Sequence, residues 1–206
     1  MMNTSPQPLE AGTLPGSPAR PSQSLRETLR LMRSDMRFRC EWEHKPVTFL
    51  TGLRLLFSPG VATVLMVRLQ KFFDTNGLRP LGWLIGMLNL ILFQVQVDSR
   101  ASIGESLIIL HAHSVFIDGN VDLGDRCLLF HQNTLGASPF IDDDARVAAG
   151  RLRVGNDVMF GSGACAYGEI DIGDRCQIGV NTVVEASCAT GSVMFGVPAR
   201  VVSKNS

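Results

Sequence analysis

Hydrophobic residues recur every six positions through the second half of the chain, often followed by Gly, Asp or Glu. A six-residue unit fits a short strand and a turn, and three units close one triangular coil whose apolar residues are buried only when coils stack. The period-2 strands of an ordinary β-sandwich would not keep this phase. The sequence therefore predicts a mainly β fold, a parallel β-helix of hexapeptide repeats. The inward positions are Val97, Ile103, Ile109, Ile117, Leu123, Leu129, Leu135, Val154, Phe160, Ala166, Ile172, Ile178 and Val184.

Two interruptions of this period predict loops that leave the coil. An eight-residue step separates Ile109 from Ile117, so two extra residues bulge out in a stretch that contains His111 and His113. A longer step after the inward residue at 135 predicts a loop over residues 137–150. Loops on a rigid scaffold are common places for functional residues.

Composition divides the chain into three parts. Residues 1–23 contain five prolines among Ser, Gly and Thr, which predicts a disordered tail. Residues 24–95 form a predicted α-helical region, and residues 96–202 form the β-helix domain. A chain of 206 residues is long enough for one compact domain with such an appendage.

Start and stop signals predict the helices of the middle part. Ser24 caps a first amphipathic helix that ends at about Arg39. Pro46 suits the first turn of a second helix, and Pro59 suits the first turn of a third, which ends at the Asn-Gly pair at 76–77.

The last segment before the coil, residues 81–95, is apolar nearly all round. Its length, about 15 residues, is short of the roughly 20 that a bilayer span needs. One interpretation is a helix packed between the coil domain and a neighbouring subunit. The other is a peripheral membrane contact, for which Trp83 and Arg79 would suit the interface.

Charge and cysteine content exclude several classes of function. Basic and acidic residues number 19 each and no basic run occurs, which argues against a nucleic-acid partner. Five cysteines without a C-x-x-C spacing argue against a disulfide framework and a zinc site, and they favour a reducing cytosol. No secretory signal is predicted. We expect a cytoplasmic protein, with the inner face of the membrane as the alternative location.

The coil residues resemble the serine acetyltransferase family of left-handed β-helix acyltransferases. The similarity rests on the hexapeptide phase, His111 in the eight-residue step, Asn-Thr-Leu-Gly at 133–136, the long loop, and the Gly-Val-Pro-Ala-Arg ending at 196–200. The strings around His111 and His131 look closest to the colanic-acid-type polysaccharide O-acetyltransferases. The resemblance covers about residues 45–202. It implies a left-handed coil, acetyl-CoA as co-substrate, no metal, and a homotrimer or a dimer of trimers with active sites between subunits.

The resemblance also assigns roles to three histidines. A histidine at the position of His111 is the family's general base, because an imidazole can take the proton of an acceptor hydroxyl and return it to the leaving thiolate. His113 and His131 are candidates for contact with the acceptor. The alternative for each is a surface histidine without a catalytic task.

Three polar positions of the family have changed in this chain. Leu110 stands at the acidic position before the catalytic histidine, Gln96 stands at the carboxylate that orients it, and a second histidine of the family falls near Arg151. Gln96 and Arg151 are still candidates for substrate contact, and Asp98 is the candidate that orients His111 instead. Because an unpaired serine ammonium group is costly in a partly desolvated pocket, these changes favour a neutral saccharide hydroxyl as acceptor.

By position, the resemblance places the pantetheine arm of the coenzyme along small residues of the C-terminal turns. Tight coil corners that need little room also explain such residues. The candidate coenzyme contacts are Gly161, Ser162, Gly163, Ala164, Gly179, Val180, Asn181 and Arg200.

The predicted function is therefore an acetyl-CoA-dependent O-acetyltransferase that acts on a saccharide in surface or exopolysaccharide biosynthesis. One alternative is a serine O-acetyltransferase of cysteine biosynthesis, and a second is a non-catalytic coil scaffold that binds coenzyme A. A carbonic-anhydrase-like coil protein would need His111, His113 and His131 around one metal, and the loop and the ending fit the acyltransferases better.

Overall fold

The computed structural model describes residues 22–136 and 150–204, so the predicted tail, apart from its last two residues, and nearly all of the predicted long loop lie outside the described residues. Four helices precede fifteen short strands. The helices are α1 (Leu25–Trp42), α2 (Phe49–Leu56), α3 (Pro59–Thr75) and α4 (Arg79–Phe93). The strands are β1 (Val95–Val97), β2 (Ser102–Ile103), β3 (Ile108–Ile109), β4 (Val115–Ile117), β5 (Val121–Leu123), β6 (Leu128–Leu129), β7 (Thr134–Gly136), β8 (Leu152–Val154), β9 (Met159–Phe160), β10 (Cys165–Tyr167), β11 (Asp171–Ile172), β12 (Gln177–Ile178), β13 (Val183–Val184), β14 (Ser192–Phe195) and β15 (Arg200–Lys204).

The strands form the three faces of a parallel β-helix. Sheet A has the order β1-β4-β7-β10-β13, sheet B the order β11-β8-β5-β2, and sheet C the order β15-β14-β12-β9-β6-β3. The chain visits A, B and C in turn, and each strand pairs in parallel with the strand one coil later, as Val97 does with Ile117 and Ile117 with Leu135. Among the described strands, β14 and β15 pair antiparallel around the turn at 196–199.

The six-residue period is confirmed. Every predicted inward position is buried, with at most 9% of its surface exposed, and all of them belong to one hydrophobic cluster. Val64 and Val67 of α3 belong to the same cluster, so α3 closes the open end of the first coil. Gly60 allows that approach, because a Cβ there would collide with the carbonyl oxygen of Ile109.

The string Gly-Asp-Arg-Cys occurs twice, at 124–127 and 173–176, and both copies lie at the corner of the coil between sheets B and C. Asp125 Oδ1 accepts the backbone N–H of Glu105 at 2.8 Å, Asn156 Oδ1 accepts that of Asp125 at 2.8 Å, and Asp174 Oδ1 accepts that of Asn156 at 2.7 Å. Each coil therefore satisfies a backbone donor of the coil before it. Gly124 is needed at this corner, because a Cβ there would lie 2.5 Å from the carbonyl oxygen of Gly155.

The helix boundaries agree with the sequence signals in part. Ser24 Oγ accepts the N–H of Glu27 at 3.1 Å, as predicted for the N-cap, but α1 continues past Arg39 to Trp42. The prediction that α2 starts at Pro46 was wrong. Thr48 is the N-cap, and its hydroxyl accepts the N–H of the residue three positions later.

The last two helices start and stop close to the predicted signals. Pro59 is the first residue of α3, and Asn76 is its C-cap. α4 ends at Phe93 because Gln94 adopts a left-handed conformation with φ 54° and Val95 enters β1. The apolar segment is therefore helical over most of its predicted length.

A buried ion pair joins the helical region to the β-helix. The guanidinium group of Arg68 donates two hydrogen bonds of 2.9 Å to Asp35, and it donates to the carbonyl oxygens of Ile103 and Gly104 at 3.0 and 2.6 Å. Asp35 also accepts the N–H of Leu107 at 2.8 Å. Both side chains are almost fully buried, so α1, α3 and the first coil share one polar junction.

Candidate active site

Most of the predicted site residues meet at one edge of the β-helix, where the chain turns from sheet C into sheet A. We call this edge, residues 110–114, 130–133, 161–164 and 179–182, the histidine corner. Ser114, Gln132, Gly163 and Asn181 stack there with φ values of 54°, 60°, 71° and 54°. This left-handed conformation turns the chain sharply from one sheet to the next.

His111 stands on the bulge that the eight-residue step predicted. It follows β3 directly, its side chain is exposed, and its φ of 55° is a second left-handed position within this turn. The preceding Leu110 is buried in an apolar cluster with Ile108, Leu128 and, from α1, Phe38. The residue before His111 therefore anchors the bulge against α1 and does not line the site.

His131 lies beside His111 one coil later. The two imidazole rings meet edge to face, with centroids 6.1 Å apart and an interplanar angle of 78°. His131 Nδ1 is 3.3 Å from Ser162 Oγ, one further coil along the stack. His113 lies at the same corner with an exposed side chain, and its carbonyl oxygen accepts the N–H of Gln132 at 2.9 Å.

The candidate coenzyme contacts continue the same stack. The N–H of Gly163 donates to the carbonyl oxygen of His131 at 3.0 Å, and the N–H of Asn181 donates to that of Ser162 at 2.9 Å. Gly161 faces the next coil closely, since a Cβ there would lie 2.9 Å from the backbone nitrogen of Val180. Ala164 and Gly179 lie within the same two turns, and Arg200 is exposed on β15.

Two predicted site residues lie at the other edge of sheet A, where the chain turns into sheet B. Asp98 follows β1 and binds Arg100 through a salt bridge of 2.8 Å, which raises the pKa of that guanidinium. Arg151 precedes β8 and binds Asp122 at 2.5 Å. Gln96 lies between these edges, on the outer face of sheet A. The length of the sheet A strands separates Asp98 and Arg151 from the histidine corner of the same chain.

The contact between His131 and Ser162 was missed by the sequence reasoning, which grouped Ser162 with the coenzyme contacts alone. The sequence signal for this contact is the position of each residue within the six-residue repeat. His111, His131 and Ser162 each stand two residues after an inward position, at 109, 129 and 160. Side chains at the same position of the repeat lie above one another in successive coils, and this rule places His111, His131 and Ser162 in one column. Within residues 22–136 and 150–204, no group of three or more His, Cys, Asp or Glu side chains is placed to hold a metal ion.

A three-sided β-helix with a histidine on a corner bulge, above a stack of small residues, defines a hexapeptide-repeat acyltransferase. The serine acetyltransferase of Mycobacterium tuberculosis is 32% identical over 178 residues, which cover 86% of this chain and 74% of that protein. This chain belongs to the serine acetyltransferase family. No protein-family model matches it.

Solved structures confirm the predicted fold, a left-handed β-helix with an N-terminal helical region. The Brucella abortus serine acetyltransferase in complex with coenzyme A superimposes with a TM-score of 0.75 at 21% identity, over 88% of this chain and 70% of that one. The Neisseria gonorrhoeae serine acetyltransferase in complex with serine gives a TM-score of 0.73 at 24% identity, over 87% of this chain and 70% of that one.

The predicted saccharide acceptor was wrong, because the relatives named by the comparison, among them those of Mycobacterium tuberculosis and Helicobacter pylori, are serine acetyltransferases. The prediction assumed that any carboxylate that pairs with the serine ammonium group must stand at the family's positions. Within one chain, the structure places Leu110 in an apolar cluster and Arg151 at another corner, so neither side chain lines the histidine corner of that chain.

Proposed function

We propose that this protein is a serine O-acetyltransferase that transfers the acetyl group of acetyl-CoA to the hydroxyl of L-serine. The observation that carries the proposal is His111, exposed on the bulge of the histidine corner in a chain of this family. His111 acts as the general base. The relatives solved with serine and with coenzyme A support the choice of substrates.

The chemistry needs a proton carrier beside the serine hydroxyl. His111 takes the proton of the serine hydroxyl as that oxygen attacks the thioester carbonyl carbon. The tetrahedral intermediate then collapses, the carbon–sulfur bond breaks, and the coenzyme thiolate takes the proton from the imidazolium. The products are O-acetylserine and free coenzyme A, and the histidine returns to its neutral form.

His131 positions the catalytic imidazole in this proposal. Its ring meets His111 edge to face, and its Nδ1 lies within hydrogen-bond distance of Ser162. An edge-to-face contact restricts the orientation of both rings. That restriction replaces the carboxylate that the family places where this chain has Gln96.

The coenzyme lies along the turns below His131. The small residues Gly161, Gly163 and Gly179 leave room for the pantetheine arm at the corner, and Val180 offers an exposed apolar side chain to it. Arg200 is the candidate partner for a coenzyme phosphate.

The working unit is a homotrimer in which sheet A faces a neighbouring subunit. The outer row of sheet A, from β1 to β13, is uncharged and consists of Gln96, Phe116, Thr134, Cys165 and Val183. The equivalent row of sheet B is mostly charged and consists of Ser102, Asp122, Arg153 and Asp171. Uncharged surface is the usual composition of the core of an interface. The histidine corner borders sheet A, so a neighbour on that face would complete the site.

The test is release of free coenzyme thiol from acetyl-CoA by the purified protein with L-serine, with sugar acceptors, or with no acceptor. We expect serine-dependent release that falls by about 10²–10⁴ in His111→Ala, the usual contribution of a general base. His44→Ala, which changes a histidine of the helical region, is the matched control and should keep full activity. Release that needs a sugar, or coenzyme binding without release on any acceptor, would contradict the proposal.

A further inference from the structure

The helix α4 buries its small and polar residues. Thr63 Oγ1 of α3 donates a hydrogen bond of 2.6 Å to Asn89 Oδ1, and both side chains are buried. Gly86 and Gly82 continue the same helix face toward the N-terminus, and a Cβ at Gly82 would collide with the carboxylate of Asp74. Small residues and a buried side-chain hydrogen bond therefore form the contact of α4 with α3.

Most of the other residues of α4 are apolar, and seven large ones are exposed. Trp83 is 66% exposed and Ile91 is 69% exposed. We call the exposed apolar side of this helix the α4 face. Its large residues are Leu81, Trp83, Leu84, Leu88, Leu90, Ile91 and Leu92. A surface helix of a water-soluble domain has the opposite arrangement, with its apolar stripe toward the core.

The length of α4 determines whether the helix could span a bilayer or could only lie at its surface. α4 has 15 residues, and within the described part of the chain no single helix has both the length and the apolar composition to cross a membrane. Helices α2 and α3 are together long and apolar enough, but the chain bends by 84° between them. A helix of this length can lie in the plane of the interface with one side among the acyl chains.

The charges around α4 favour an anionic surface. Arg79 begins the helix, and no charged residue follows it as far as Gln94. Asp74 is the only acidic residue between positions 46 and 95, and it lies against Gly82 on the side that faces α3. An apolar face that begins with an exposed cation and carries no carboxylate complements the headgroups of anionic lipids.

We propose that the α4 face binds the surface of an anionic lipid bilayer, with α4 parallel to the membrane plane and Trp83 at headgroup level. The binding does not depend on acyl transfer. It would hold the β-helix at the membrane surface, because β1 begins at Val95, directly after Gln94.

The experiment is flotation of the full-length protein with phosphatidylcholine vesicles that contain or lack phosphatidylglycerol. One variant carries Leu84→Gln, Leu88→Gln and Ile91→Gln on the α4 face. The matched control carries Val201→Gln and Val202→Gln, two exposed apolar residues of β15. We expect the α4 variant to bind anionic vesicles at least about tenfold more weakly than the wild type and the β15 variant to bind unchanged. Added salt should weaken binding as well.

A second readout does not depend on folding of the α4 variant. Trp42→Phe leaves Trp83 as the single tryptophan of the chain. We expect its emission to shift to shorter wavelength with anionic vesicles and to be quenched by brominated acyl chains. Absence of flotation by the wild type, equal flotation of the α4 variant, or unquenched Trp83 would overturn the proposal. If the α4 variant changes only the oligomer mass, a second copy covers this face and the proposal is wrong.

Discussion

The β-helix and helix α4 of the helical region arrange polar and apolar residues in opposite ways. In the β-helix every inward position of the repeat is buried, and the outer row of sheet B carries Asp122, Arg153 and Asp171. In α4 the inward residues are Gly82 and Asn89, and the outward residues are large and apolar. The β-helix therefore completes its own core, whereas α4 exposes an apolar surface that residues 22–136 and 150–204 of the chain do not cover.

The junction between the two regions gives the largest predicted effect. Arg68→Met leaves the Asp35 carboxylate buried without its partner and leaves two carbonyl oxygens of the first coil without a donor. We expect a loss of about 3–5 kcal/mol in the free energy of unfolding, as for other broken buried ion pairs. Urea denaturation followed by circular dichroism measures it.

The control for that prediction is the double variant Arg68→Met with Asp35→Leu. It removes the buried charge altogether and should recover part of the lost stability, though not the hydrogen bond to Leu107. A single variant within about 0.5 kcal/mol of the wild type would show that the pair does not hold the regions together.

A matched pair of leucines compares the two regions directly. Leu123→Ala removes a buried side chain of the coil stack and should cost about 2–5 kcal/mol. Leu88→Ala removes an exposed side chain of the α4 face and should change stability by less than about 0.5 kcal/mol. Thermal unfolding of the two variants in parallel measures the difference. Equal losses of stability in the two variants would mean that Leu88 is buried in the folded protein, which would contradict an exposed α4 face.

Thiol reactivity gives the smallest effect and probes the β-helix interior. Burial raises the pKa of Cys127 to about 12, and burial beside Cys176 raises the pKa of Cys188 to about 12. Thiolate is the reactive form, so at pH 8 both thiols are almost entirely protonated and react slowly. Cys165 is half-buried in the single chain but lies on the sheet A face that we propose contacts a neighbouring subunit, so we expect Ellman's reagent to modify it quickly only when the trimer dissociates on dilution, and Cys165→Ser to remove that fast phase. A fast phase that remains in this variant would contradict the assignment.

Much of the β-helix was predictable because each coil repeats the same environment. The period fixed the inward residues, the eight-residue step located the bulge of His111, and the phase places His131 and Ser162 in one stack. The partner of Asp98 was not predictable, because the ion pair with Arg100 depends on side-chain rotamers and not on the repeat.

The helical region was less predictable for a related reason. Pro46 fits the first turn of a helix, but Thr48 provides the cap that the local chain uses. The apolar composition of residues 81–95 was evident, but composition does not reveal which helix face packs on α3. That choice follows from Thr63 and Asn89, which lie 26 residues apart in sequence.

The acceptor and the catalytic histidine are tested together by direct detection of the product. The purified protein is mixed with isotopically labelled acetyl-CoA and L-serine, and labelled O-acetylserine is measured by mass spectrometry beside His111→Asn and His131→Asn. We predict steady product formation by the wild type, a loss of about 10²–10⁴ in His111→Asn with coenzyme binding retained, and a smaller loss in His131→Asn. No labelled O-acetylserine from the wild type, or equal amounts from His111→Asn, would contradict a serine acetyltransferase that works through this histidine.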